Sequence, residues 1–177
     1  MHNLSVAQPF GILYGEGMPI DLKVKRSFNI SAELLYRAWT EPAYVKRWWG
    51  PSGFTCPVAE MDVRAGGVSL VCMRAPREYG AMELFNTWSY GVVEPSRRLE
   101  FVLRFTNANR EAVSPQALGI PSGVPGEVPH VLTFVALPGG GSELTVEERG
   151  YATAEAVEMS EAGLLQTLDK LTAVLES

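Results

Sequence analysis

The chain holds two histidines, His2 and His130, so acid–base work near neutral pH would rest on one of them or on a carboxylate with a displaced pKa. His2 stands at the start of an irregular segment. His130 follows a long irregular stretch and alternates with Val128, Leu132 and Phe134. On that face it is a polar group in an apolar wall, able to donate a hydrogen bond or shuttle a proton. At a strand end it is instead a surface histidine bonded to a loop carbonyl. No other residue in the sequence marks itself as its partner.

Carboxylates come next. Glu60 and Asp62 alternate with Phe54, Cys56 and Val58, Arg64 continues that face, and Arg74 falls on the next strand. Facing inward, one of these acids would stand at a cavity wall, its pKa raised by burial unless an arginine pairs with it. Facing outward, they form cross-strand ion pairs.

Aromatic side chains offer a different chemistry, the recognition of a planar apolar guest. Trp48, Phe54, Trp88, Tyr90 and Phe134 lie on a helix end and on strands able to wall a cavity. The same residues at strand spacing also serve as core, and Trp39 is read as packing.

Other chemistries lack their motifs. No H-E-x-x-H, C-x-x-C or acidic calcium loop is present, so the sequence predicts neither a metal nor a bound organic cofactor. Gly66-Gly67 and Gly139-Gly140-Gly141 fall between strands and are hairpin turns rather than phosphate-binding loops. A turn at Ala65-Gly66-Gly67 sets Cys56 opposite Ala75 and Cys72 opposite Ala59, out of register for a disulfide. Both are expected to be buried, reduced thiols.

The elements that position these residues follow from periodicity. Residues 1–20 are rich in Gly and Pro and form an N-terminal arm, with one short strand expected at Phe10 to Tyr14. Asp21 to Ile30 alternates as a half-solvated strand. Ser31 caps a helix over Ala32 to Trp39, and Thr40 caps a second, with Pro42 in its first turn. Strands are expected at Phe54–Val63, Val68–Arg74, Met82–Val93, Leu99–Phe105, Val128–Leu137 and Ser142–Arg149. Ala154 to Leu175 is one long helix with Val157, Leu164, Leu168, Leu171 and Leu175 in a stripe. Between Thr106 and Pro129 lies an irregular insertion, expected to be mobile and outside the core. It would border a ligand entrance, cover a homodimer surface, or be a neutral insertion.

The architecture is therefore α+β. A bent antiparallel sheet of about six or seven strands wraps on the C-terminal helix, with two short helices after the first strand and a gap left for a ligand. The chain has 177 residues, net charge -5 and 46% hydrophobic residues, which fits one folded domain over residues 21–177. The acidic balance argues against nucleic acid. No apolar run reaches the ~18 residues of a membrane span, and the N-terminus lacks a basic signal region, so the expected location is the cytoplasm.

Four segments resemble one family in order and spacing: AWTEPAYVKRWWGPSGFT (Ala38–Thr55), CPVAEMDVRAGG (Cys56–Gly67), VVEPSRRLEF (Val92–Phe101) and LPGGGSELTVEE (Leu137–Glu148). It is the bacterial AHSA-type group, homologues of the C-terminal domain of heat-shock-protein ATPase activators, within the START-like or SRPBCC superfamily. The resemblance runs from about Leu22 to Leu175 and implies the helix-grip fold. Family members often carry Gly-Trp near the start of the last helix; here Gly163-Leu164 stands there, so Leu164 would line an enlarged cavity. The superfamily includes lipid carriers, receptors, cyclases, toxin-sequestering proteins and co-chaperones, and what they share is a cavity. The resemblance thus implies non-catalytic binding of a small hydrophobic or aromatic molecule. Its alternatives are a cyclase- or aromatase-like enzyme using polar cavity groups, and a co-chaperone-like stress-response module.

Overall fold

Ser31 accepts a hydrogen bond from the backbone of Leu34 at 3.1 Å and so starts helix α1 (Ala32–Thr40), as its side-chain chemistry predicts. The computed structural model describes residues 17–177. The short strand expected at Phe10 to Tyr14 lies outside them, as does His2. Strand β1 (Ile20–Phe28) precedes α1, and helix α2 (Pro42–Trp48) follows directly. Thr40 does not cap α2. It closes α1, donating its hydroxyl back to the Tyr36 carbonyl at 3.0 Å, and Glu41 takes the capping position with Pro42 in the first turn.

Six more strands follow: β2 (Thr55–Glu60), β3 (Val68–Arg74), β4 (Glu83–Glu94), β5 (Arg98–Thr106), β6 (Glu127–Ala136) and β7 (Ser142–Tyr151). Helix α3 (Ala154–Leu175) ends the fold, capped by Thr153. The strands form one antiparallel sheet in the order β1-β7-β6-β5-β4-β3-β2. Irregularities in β1, β2 and β4 interrupt the pairing, and such bulges increase local bend and twist. The sheet curves so that its concave face carries Val24, Trp88, Phe101, Leu132 and Leu144, all in one buried cluster with Leu164, Leu168 and Leu171 of α3. An antiparallel sheet with one apolar face must be covered, and α3 covers it. This is the expected α+β helix-grip arrangement.

One bulge changes the facing of side chains. Thr55 pairs with Arg74 but Val58 pairs with Cys72, so β2 holds one extra residue around Pro57. A one-residue insertion reverses the alternation. Cys56 and Ala59 are buried, whereas Glu60 is exposed; the expectation that Cys56 and Glu60 share a face is overturned by the bulge.

Candidate functional site

The cover provided by α3 is incomplete. A cavity of about 220 Å³ remains between its first half and the concave sheet. Leu103, Phe105 and Val128 of the sheet form its apolar floor, Leu164 and Met159 of α3 its roof, and Trp49, Gly50 and Pro51 one rim. Gly163 also faces this space, and a Cβ added there would meet nothing within 4 Å. A dry cavity of about 150 Å³ already accepts benzene, so this volume suits a molecule of one or two rings.

His130 is buried and reaches the cavity from β6. Its ring stacks on Phe101 at 4.7 Å, and Phe101 stacks on Trp88 at 4.7 Å. Nδ1 lies 2.8 Å from the Val128 carbonyl oxygen, which can only accept, so Nδ1 carries a proton. Nε2 lies 3.4 Å from Oε1 of Glu148, directly opposite on β7. The other carboxylate oxygen accepts from the Tyr151 hydroxyl. Burial pushes Glu148 up, but the charge and hydrogen bond of His130 and the hydroxyl of Tyr151 outweigh it, leaving its pKa below the ordinary value. Burial first, then the Glu148 charge, hold the Tyr151 phenol protonated far above its usual range, while the nearby Ser160 hydroxyl of α3 works the other way. A chain of polar groups thus runs from sheet to helix along one side of the cavity. The sequence expectation that His130 has no marked partner is corrected by Glu148. Its signal was faint: a glutamate on the inward beat of an alternating strand, beside Val146 and Leu144.

Asn86 is a second polar group on the cavity wall and is buried. Its Oδ1 accepts the indole N–H of Trp88 at 2.8 Å, which fixes the orientation of the amide.

Of the seven residues expected to line a cavity, His130 and Leu164 do so. Trp48 is buried between the helices, its N–H bonded to the Ala38 carbonyl at 2.9 Å and its ring 4.6 Å from Trp39. Trp88 is fully buried under Trp49 and Phe101. Tyr90 hydrogen-bonds Ser69 at 2.8 Å, and Phe134 packs edge-on against Tyr36 at 5.4 Å. Phe54 sits beside Gly50, outside the cavity lining. In the Trp48-Trp49 pair it is Trp49, the first residue past α2 in extended backbone, that reaches the cavity.

The carboxylates considered from sequence are surface ion pairs: Glu60 with Arg110 at 2.8 Å, Asp62 with Arg64 at 2.9 Å, and Arg74 with Glu83 at 2.5 Å. Cys56 and Cys72 are buried free thiols, with burial pushing them up to about 11 and about 12. Their register is shifted from expectation, Cys72 facing Val58 rather than Ala59. Among the described residues no group of three or more His, Cys, Asp or Glu is placed to hold a metal ion, and no helix is long and apolar enough to cross a membrane.

The insertion packs against the core more than its Pro and Gly content predicts. It contains a 3-10 turn at Pro115–Leu118, and Val124 joins the buried cluster. Ile120 and Val124 close one side of the cavity. Gly123 makes this possible: its carbonyl accepts from Ala152 at 2.9 Å, and a Cβ there would come within 2.5 Å of the Thr153 hydroxyl.

Residues 29–176 match the family described as Activator of Hsp90 ATPase homolog 1-like protein. The chain belongs to this family. The crystal structure of a protein from Chromobacterium violaceum is similar at TM-score 0.72 and 25% identity, covering 89% of this chain and 97% of that one. An AHSA1 protein from Silicibacter pomeroyi is similar at TM-score 0.69 and 20% identity, covering 89% and 98%. A solution structure from Arthrobacter aurescens reaches TM-score 0.70 at 17% identity, covering 88% and 86%. No functionally curated protein matches the chain. Within the AHSA1-like family the fold is shared, and function must be argued from the cavity.

Proposed function

We propose that this AHSA1-like protein binds a small, largely apolar and aromatic molecule non-covalently between the sheet and α3. The observation that carries this reading is the cavity of about 220 Å³ walled by Leu103, Phe105, Val128 and Leu164. Its volume falls below the ~300–1,000 Å³ typical of sites for drug-sized ligands, so the expected guest is compact. The expected location is the cytoplasm, and the folded unit is taken as one domain over residues 21–177. Native mass spectrometry of protein purified from its own host tests the reading. The expected result is a small adduct that is lost on denaturation and absent from a Gly163→Leu variant. An adduct unchanged in that variant, or none at all, would count against it.

A second reading is favoured by a specific arrangement, the His130–Glu148–Tyr151 chain on the cavity wall. A buried carboxylate–imidazole pair beside an apolar guest is suited to proton transfer, as an enzyme of the cyclase type would need. Turnover of the co-purified molecule by the wild-type protein, lost in Glu148→Gln while the adduct is retained, would establish catalysis over simple binding.

A further inference from the structure

The Asn86 amide is oriented by its neighbour, and that orientation selects a ligand. An indole N–H only donates, so the 2.8 Å contact with Trp88 requires Oδ1 of Asn86 on that side. The amide N–H2 group is therefore turned the other way. It has no hydrogen-bond partner among the described residues, although Asn86 is only 1% exposed and lines the cavity. Trp49, on the cavity rim and 4.9 Å from the Trp88 ring, has a buried indole N–H without a partner among the described residues. A guest entering the cavity displaces the solvent that the Asn86 amide can reach, and a donor then left unpaired is costly, so a site built this way favours a guest that supplies the acceptor.

We infer that the cavity is specific for a neutral carbonyl compound, a small aryl ketone, lactone or ester, whose oxygen accepts from the Asn86 amide while its ring lies against Phe105, Val128 and Leu164. Charge argues for neutrality. Among the described residues no Lys or Arg lines the cavity, and the carboxylate of Glu148 already stands on its wall. An anionic guest would be desolvated beside that carboxylate, and the cationic form of His130, the basic side chain on this wall, is already paired with Glu148. The inference rests on the proposed binding role and names the chemistry of the guest.

The test uses a matched set of probes, 2-acetonaphthone, 2-ethylnaphthalene and 2-naphthoate, measured on the whole protein by equilibrium dialysis. The ketone is expected to bind roughly tenfold more tightly than the hydrocarbon, the scale of one well-placed hydrogen bond, and more tightly than the carboxylate. In Asn86→Asp a carboxylate oxygen replaces the amide donor, and the preference for the ketone over the hydrocarbon should vanish. If that variant fails to fold, the carbonyl stretch of 13C-labelled 2-acetonaphthone bound to wild-type protein decides: it should lie below its value in cyclohexane. Equal binding of ketone and hydrocarbon, or an unshifted stretch, overturns the carbonyl inference and leaves the binding role standing. Tightest binding of 2-naphthoate overturns the neutrality. If no probe binds, the binding role falls and the inference with it.

Discussion

His130 and Glu148 are direct partners across β6 and β7, with Nε2 3.4 Å from Oε1 and both side chains buried. Burying an ionised carboxylate is expensive unless donors surround it. Here Oε2 accepts from the Tyr151 hydroxyl, and Oε1 faces Nε2 of His130, which pairs with it in the protonated form of the ring. The Nδ1–H bond to the Val128 carbonyl sets the plane of the imidazole, and the stack on Phe101 holds it there. The pair is thus a fixed polar point in an otherwise apolar wall.

Acid stability should report this pair. The folded-state pKa of Glu148 is lowered from the ordinary 4.5, so its contribution is complete above that value and is lost as pH falls through the lower folded value. Glu148→Gln should cost on the order of 1–3 kcal/mol at pH 7. It should also flatten the decline in stability below about pH 4.5. Urea unfolding midpoints between pH 7 and pH 3 measure both; equal acid slopes for the two proteins would refute the assignment.

Gly163 sets stability against cavity volume. A glycine inside α3 costs roughly 0.5–1 kcal/mol relative to alanine, and a Cβ there meets nothing within 4 Å. Gly163→Ala should therefore raise stability by about that amount while weakening uptake of 2-acetonaphthone, and Gly163→Leu should fill the space and abolish uptake without unfolding the protein. Thermal melting and equilibrium dialysis on the two variants separate stability from binding.

The architecture was legible in the sequence because it depends on period and punctuation. The stripe of Leu164, Leu168 and Leu171, the cap at Ser31 and the hairpin glycines act locally, and each is where alternation and capping place it. The cavity was much less legible. Trp48 and Trp49 are adjacent, and only the change to extended backbone after α2 decides which one faces the gap. Glu60 was misplaced because a bulge at Pro57 leaves no mark in the alternation. Glu148 gains its role from His130 across the β6–β7 pairing, which no single-strand pattern records, whereas Asn86 is oriented by Trp88 on its own strand, through a side-chain bond that alternation does not reveal.

Lys170 should prove structurally important despite its charge. From α3 its Nζ donates to the carbonyls of Gly50 at 3.1 Å and Phe54 at 2.9 Å, with Pro51 at 3.5 Å, gathering the turn that forms the cavity rim. Burial lowers its pKa, while the nearby Cys56 acts in the opposite direction. Lys170→Met keeps the aliphatic stem and removes the donors, so the cost should be about 1–3 kcal/mol from unpaired carbonyls. Uptake of the naphthyl ketone should weaken as Gly50 and Pro51 loosen. Chemical denaturation showing no change would mean that water replaces the ammonium group without loss.

The insertion should act as a wall of the cavity rather than as a neutral loop. Val124 is buried with the core and shares the lining with Ile120, and the approach of Gly123 to Thr153 docks this segment on the start of α3. Val124→Ala removes about two methylene equivalents from a packed site, a loss of roughly 2 kcal/mol. Gly123→Val should be worse, because its positive φ of 99° and the 2.5 Å approach to the Thr153 hydroxyl both exclude a side chain, so the segment would have to lift away. Replacing Asn107 to Gly126 with a short Gly-Ser turn removes the wall altogether. Loop shortening itself changes stability by only ~0.6 kcal/mol per halving of length, so a larger loss reports the packing of Val124 and its neighbours. The expected result is a folded but destabilised protein from which 2-acetonaphthone dissociates faster, read by stopped-flow displacement. Unchanged stability together with an unchanged dissociation rate would show that the segment contributes nothing to the site.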